Sequence, residues 1–191
     1  MPDMQYLVSF ALLVALAAWI VGVYNQLDHL RHDVCASWLL WCKATHQRNT
    51  SLVDFASVFA AFLPQQDSRP RYLKRLADDS EHAVSLALEP RWGSSQGCMI
   101  SAEQVLRRAV ADSVAAVETS PEMREHVHLQ QLCSRVSSSL YQQDQYAALF
   151  DRAAVEYNSA LSGISARMLA PVFGFARVET LSSSRQNTRS A

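Results

Sequence analysis

Two stretches of the chain hold residue types able to ligate a metal. Asp28, His29, His32, Asp33 and Cys35 crowd together, and Asp28 with His32, or His29 with Asp33, are spaced i,i+4, which sets each pair on one face of a helix. An imidazole and a carboxylate so placed can fill two positions of a zinc shell. No further ligand follows at a recognisable spacing, so the cluster reads as a solvated polar collar. His126 and His128, near Glu125 and Cys133, read the same way. The four cysteines, 35, 42, 98 and 133, form no C-x-x-C pair and therefore no zinc ribbon or thioredoxin motif. Cys35 and Cys42 lie two helical turns apart, about 10 Å, beyond the reach of a disulfide within one helix. They read as reduced, half-buried thiols. Neither G-x-S-x-G, H-E-x-x-H nor a kinase motif set occurs, so no residue is assigned a catalytic, cofactor-binding or metal-binding role, no cofactor is expected, and the reading is of a non-enzyme.

Phosphate-cradling loops need clustered glycines, whereas the five here stand at 22, 93, 97, 163 and 174, too scattered for a Walker or dinucleotide fingerprint. Seventeen basic and eighteen acidic residues give a net charge of −1. That balance removes the field that draws polyanions to a surface, and nucleic acid is excluded as an expected partner. With 191 residues, 49% of them hydrophobic, the chain suffices for one folded domain plus an anchor.

The anchor is legible at once. From Tyr6 to Tyr24 no charged residue occurs, and nineteen residues at about 1.5 Å each cover roughly 30 Å, the hydrocarbon thickness of a bilayer. Tyr6 and Tyr24 fall where amphipathic rings favour the headgroup level. A cleaved signal peptide is the rival reading, with Ala15-Leu16-Ala17 as its cleavage site, but Asp3 without any Lys or Arg precedes the apolar run, against the positive leader a signal requires. Basic residues follow the span at Arg31, Lys43 and Arg48 and none precedes it, which predicts that the C-terminal part is cytoplasmic. Ala11, Ala15, Ala18 and Gly22 align on one stripe, where a second helix could approach closely and form a homo-oligomer.

Helical periodicity continues beyond the span through Leu27, Leu30, Val34, Trp38 and Trp41, breaks at the polar stretch 43–51, and resumes at Leu52, Phe55, Phe59 and Phe62. The aromatic residues of this stripe read as core. Pro64 predicts the end near Leu63. A second helix is expected from Pro70, at its first position, to the break at Glu89-Pro90, then a loop over 91–99. Ser101-Ala102-Glu103-Gln104 fits a capping box opening a third helix, lined by Leu106, Val110, Val114 and Val117. Ser120-Pro121-Glu122 starts a fourth that keeps one stripe from Leu129 to Leu161 and stops at Gly163. No segment alternates with period two. The predicted fold is all-α: a transmembrane helix over residues 1–25, continuing into a long antiparallel bundle of the four-helix type over 26–181, with a disordered polar tail over 182–191.

Val21-Gly22-Val23-Tyr24-Asn25-Gln26-Leu27, followed by Leu30-Arg31, Val34 and Ser37-Trp38, resembles the start of the LemA family, in which a Tyr-Asn pair closes the membrane helix. Phe150 to Asn158 is similar to the family's YN-x-A-V-x-x-YN segment, and Leu169-Ala170-Pro171-Val172-Phe173-Gly174-Phe175 to its terminal L-x-A-x-L-F-G-F. The chain departs from the family at 43–53, where the basic stretch is short and lacks the family's proline, at Ser120-Pro121 in place of Tyr-Pro, and at Ile164-Ser165 in place of Phe-Pro. The resemblance implies an anchored helical bundle of the bacterial inner membrane, single-pass, and supplies no reaction. The functional expectation is a scaffold or interaction module for envelope proteins, touching lipid through residues 6–24 and protein partners of unstated identity. A self-associating coiled-coil stalk and a tethered enzyme with an unrecognised site are the alternatives, the latter separable by whether 43–51 faces a closed pocket or solvent. Tyr24-Asn25 and Tyr157-Asn158 are expected to hydrogen-bond between helices. Phe173-Gly174-Phe175 is left between packing under the bundle, touching lipid and touching a partner.

Overall fold

The computed structural model describes residues 2–85 and 97–182. Helix α1 runs without interruption from Pro2 to Phe59. It tightens into a 3₁₀ turn over Ala60–Phe62, and Leu63 is extended ahead of Pro64, the conformation a following proline imposes. Helix α2 spans Arg69–Ser85 and α3 spans Gly97–Thr119. A short α4, Pro121–Glu125, leads into α5, Val127–Ser162, and α6 covers Ile164–Phe173. Among the described residues there is no β-strand.

Several boundaries depart from the sequence reading for local reasons. Helix α2 begins one residue before Pro70, where the Asp67 carboxylate accepts from the Arg69 amide at 2.9 Å and closes the entry turn. Helix α3 already begins at Gly97, so Ser101 stands inside it rather than at a cap, and Glu103 is taken up elsewhere. The helix expected from Pro121 is split at His126, which is extended (ψ 102°) and accepts from the Leu129 amide through Nδ1 at 3.3 Å. Ser120 makes no capping bond of its own. Gly163 does end α5. Ser182, assigned to the tail, is held by Asp151. The break at Glu89-Pro90 and residues 183–191 lie outside the described residues.

The two halves of α1 meet different surroundings. Every side chain described from Tyr6 to Trp19 is exposed, Phe10 by 68%, and among the described residues α1 is the one helix long and apolar enough to cross a membrane. From Leu27 onward the same helix is a core element, and Trp38, Phe55 and Phe59 are fully buried. Advancing along it, Tyr24 meets Phe173 (ring centroids 5.2 Å apart), Trp38 meets Phe150 (5.2 Å), Arg48 meets Gln143 (2.9 Å) and Phe62 meets His126 (4.8 Å). Helix α5 thus lies along the whole of the inner half of α1.

The apolar core falls into two clusters. One gathers Leu27 to Trp41 of α1 with Ala147 to Leu161 of α5, Ala166 and Ala170 of α6, and Phe175, Val178 and Leu181. The other gathers Leu52 to Phe59 with Leu73 and Ala77 of α2, Leu106 to Val117 of α3 and Leu129 to Val136 of α5. Burial of these side chains is the main favourable contribution to the fold. What separates the clusters is polar.

Candidate functional site

The stretch 43–51, read from sequence as a gap in the apolar stripe, is a buried polar layer. Lys43, His46, Gln47 and Thr50 face solvent, while Thr45, Arg48, Asn49 and Ser51 turn inward. Arg48 is entirely buried. Its Nη1 donates to Glu103 Oε1 and to Gln143 Oε1 (2.9 Å), its Nη2 to Ser80 Oγ (2.9 Å) and Asn49 Oδ1 (2.8 Å), and its Nε to the same Asn49 oxygen (3.1 Å). One guanidinium therefore ties α1 to α2, α3 and α5, using the planar fork that lysine lacks.

The acceptors are themselves held. Gln143, also fully buried, donates through Nε2 to Thr45 Oγ1 at 2.9 Å, and that hydroxyl donates to the Trp41 carbonyl. Arg107 donates to Glu103 Oε1 (3.1 Å), Gln143 Oε1 (3.1 Å) and both oxygens of Asp144 (2.7 and 3.0 Å). Burial disfavours the Arg107 cation, but Asp144 and Glu103 outweigh it and hold the guanidinium above its ordinary pKa. At the other edge Glu81 accepts from Asn49 Nδ2 (3.0 Å) and pairs with His46 Nδ1 (2.7 Å). Partial burial pushes the Glu81 carboxyl up, the Asn49 and His46 hydrogen bonds pull it down, and the net direction is below the ordinary carboxylate value. Beside this pair an open groove of about 240 Å³ is lined by His46, Asn49, Thr50, Asp54, Asp78 and Glu81, among others.

Each member of the layer occupies the register of its helix's apolar stripe. Arg48 falls between Thr45 and Leu52, Ser80 between Ala77 and Val84, Glu103 three before Leu106, and Gln143 midway from Leu140 to Ala147. A polar residue on the core stripe of each of the four long helices, α1, α2, α3 and α5, was the signal that would have found the layer. Buried charge requires compensation, and here the compensation is internal: among the described residues only Gln130 Nε2 is a buried side-chain polar atom without a partner.

The residues weighed as metal ligands stay apart from this layer. His29 and Asp33 pair at 3.2 Å on an exposed face, His126 is spent on its cap and on the Phe62 ring, and the described residues hold no group of three or more His, Cys, Asp and Glu side chains able to take a metal. Cys35, Cys42 and Cys133 take part in no disulfide, and burial pushes the Cys42 thiol up to about 12.

A second constellation forms where α1 leaves its exposed half. Asn158 grips the chain after α6 by donating from Nδ2 to the Val178 carbonyl (2.7 Å) and accepting the Val178 amide at Oδ1 (3.1 Å). Tyr157 donates to the Ala176 carbonyl at 3.1 Å, and Asp151 accepts the amides of Leu181 (2.6 Å) and Ser182 (3.1 Å). Gly174, at φ 70°, lets the Phe175 amide reach back to the Ala170 carbonyl (2.9 Å), a Schellman ending that returns Phe175 to the core. Tyr24 contacts both Phe173 and Phe175. The Tyr-Asn pair at 157–158 thus ties down a terminal strap. Comparison with protein-family models, characterised proteins and solved structures finds no match to this chain.

Proposed function

We propose that this chain is a LemA-type, single-pass inner-membrane protein, and that its C-terminal part is an antiparallel four-helix-type bundle on the cytoplasmic side that serves as a scaffold for envelope proteins. The observation that carries the reading is the continuity of α1: one unbroken helix is apolar and exposed over its first half and a core element over its second. A helix fixed in the bundle transmits the membrane's orientation to it without a flexible linker. The packing of Tyr24 on Phe173 and Phe175, and the hold of Tyr157 and Asn158 on the chain that follows them, support the family likeness, because these are residues of the likeness at both ends of the chain.

A non-enzymatic role is favoured by the polar layer, whose Arg48, Glu103 and Gln143 are buried and engaged with one another. Such a layer fixes which helix faces meet, since slipping the register would strand a buried charge. Exposed Leu39, Leu149 and Val155 offer apolar contact to a partner. Washing membranes with alkali is expected to leave the chain in the pellet; release into the supernatant overturns the anchor. A photocrosslinker at Leu149 is expected to trap discrete envelope-protein adducts, and their absence overturns the scaffold. A cell-impermeant maleimide is expected to spare an Arg75→Cys variant in intact cells, and labelling would place the domain outside.

Self-association is a second reading, favoured by the open stripe of Ala11, Ala15, Ala18 and Gly22. A Cβ built on Gly22 meets nothing within 4 Å. Ala15→Leu with Gly22→Leu is expected to weaken dimers in a membrane-association assay.

A further inference from the structure

Helix α6 is seated through Ala166 and Ala170, and its opposite side carries Ile164, Met168 and Val172, exposed by 85%, 70% and 75%. Their i, i+4, i+8 spacing makes one ridge of about 12 Å. A ridge of large aliphatic side chains facing water is unfavourable and marks an interaction face. Its position identifies the occupant. Phe173, the last residue of α6, stacks edge-on against Tyr24, which closes the apolar span, so the ridge is fixed at the level where α1 emerges. Its charge agrees. Between Glu156 and Glu179 the ionisable side chains of Asp, Glu, Lys and Arg type are Arg167 and Arg177 alone, and both line a cavity of about 340 Å³ beside α6.

We infer that α6 is an interfacial helix lying on the leaflet from which α1 emerges, with Ile164, Met168 and Val172 immersed at the acyl boundary and the two arginines at phosphate level. Apolar side chains on one face with flanking cations are the pattern by which a helix lies in the membrane plane, and anionic headgroups attract such arginines. The Schellman ending and the Asn158 clasp hold α6 in place, so the domain is docked against the bilayer at two points rather than swinging on one. The inference rests on the reading of α1 as a membrane span.

The test is depth-resolved quenching of the full chain reconstituted in vesicles of phosphatidylcholine and phosphatidylglycerol. An environment-sensitive fluorescent amino acid is placed singly at Leu13, Met168, Val172 or Tyr141, and the lipids are brominated either near the headgroup or in mid-chain. The expected result is loss of emission at Met168 and Val172 with headgroup-proximal bromine, at Leu13 with mid-chain bromine, and at Tyr141 with neither. Quenching at Leu13 but not at Met168 and Val172 overturns the inference and leaves the span intact, and it would return the ridge to a protein partner. Absence of quenching at Leu13 overturns the span and the inference together. Met168→Asp with Val172→Asp is expected to abolish quenching of a probe at Ile164 while leaving the thermal midpoint of the domain unchanged.

Discussion

Replacing Arg48 by Met removes the cation at the centre of the polar layer while keeping most of the side chain's length. Asn49 Oδ1 and Ser80 Oγ then lose their guanidinium donors, and the Oε1 atoms of Glu103 and Gln143 keep Arg107 as donor. Breaking a buried ion pair by deleting one partner costs about 3–5 kcal/mol. The retained Arg107 contacts place this case at the lower end, about 3 kcal/mol, which for a chain of this size lowers Tm by roughly 6–12 °C. Arg48→Lys should not restore it, because a lysine ammonium cannot span acceptors on four residues in the plane the fork occupies. The informative comparison is Arg48→Met with Glu103→Leu and Gln143→Leu together. Apolar replacement of these three residues together leaves no stranded charge and is expected within about 1 kcal/mol of the parent, or above it. Arg107, which is 28% exposed, still has Asp144. Urea and thermal unfolding of the full chain in detergent micelles, followed by circular dichroism, measure both variants. A single variant that loses less than about 1 kcal/mol, or a triple variant as damaged as the single, would refute the assignment of the loss to uncompensated charge.

Asn158→Ala strips both bonds from the Val178 backbone and should cost about 1–3 kcal/mol, with amide exchange accelerated first over 176–182. An unchanged midpoint and unchanged exchange would remove the clasp. Gly174→Ala forces a β-carbon into the left-handed region (φ 70°) and should cost about 1 kcal/mol, read by the same melts. Because the Glu81 carboxyl is held below its unfolded value, its stabilisation is present above about pH 4.3 and is lost as the pH falls through the lower folded value. Glu81→Gln should flatten that acid limb, and an unaltered limb would contradict the assignment. Cys42, whose thiol lies near 12, should resist thiol-directed reagents at pH 8 until the chain is unfolded; peptide mapping after brief labelling shows whether it does.

Helical period, proline and the charge-free run made the all-α class, the apolar N-terminal helix, the stop near Leu63 and the aromatic core legible without coordinates. Each depends on neighbours within a turn or two, the range over which backbone sterics and amphipathicity act. Local signals misled where long-range partners outbid them. Ser101 to Gln104 has the pattern of a capping box, but Glu103 is drawn to Arg48 and Arg107 and the helix begins earlier. His126, weighed as a metal ligand, ends as a cap between two helices.

The polar layer was beyond local reading for the same reason. Arg48, Ser80, Glu103 and Gln143 are separated by up to ninety-five positions, and each alone looks like an interruption. Only the tertiary structure brings them within hydrogen-bond distance, where every charge finds its complement away from water. The amino-acid order determined which faces are apolar and where helices end, since those follow from each residue's own size, polarity and backbone freedom. Which polar residues are buried, and which apolar ones on α6 are left uncovered, was decided by how the helices pack, because burial belongs to the arrangement rather than to the residue.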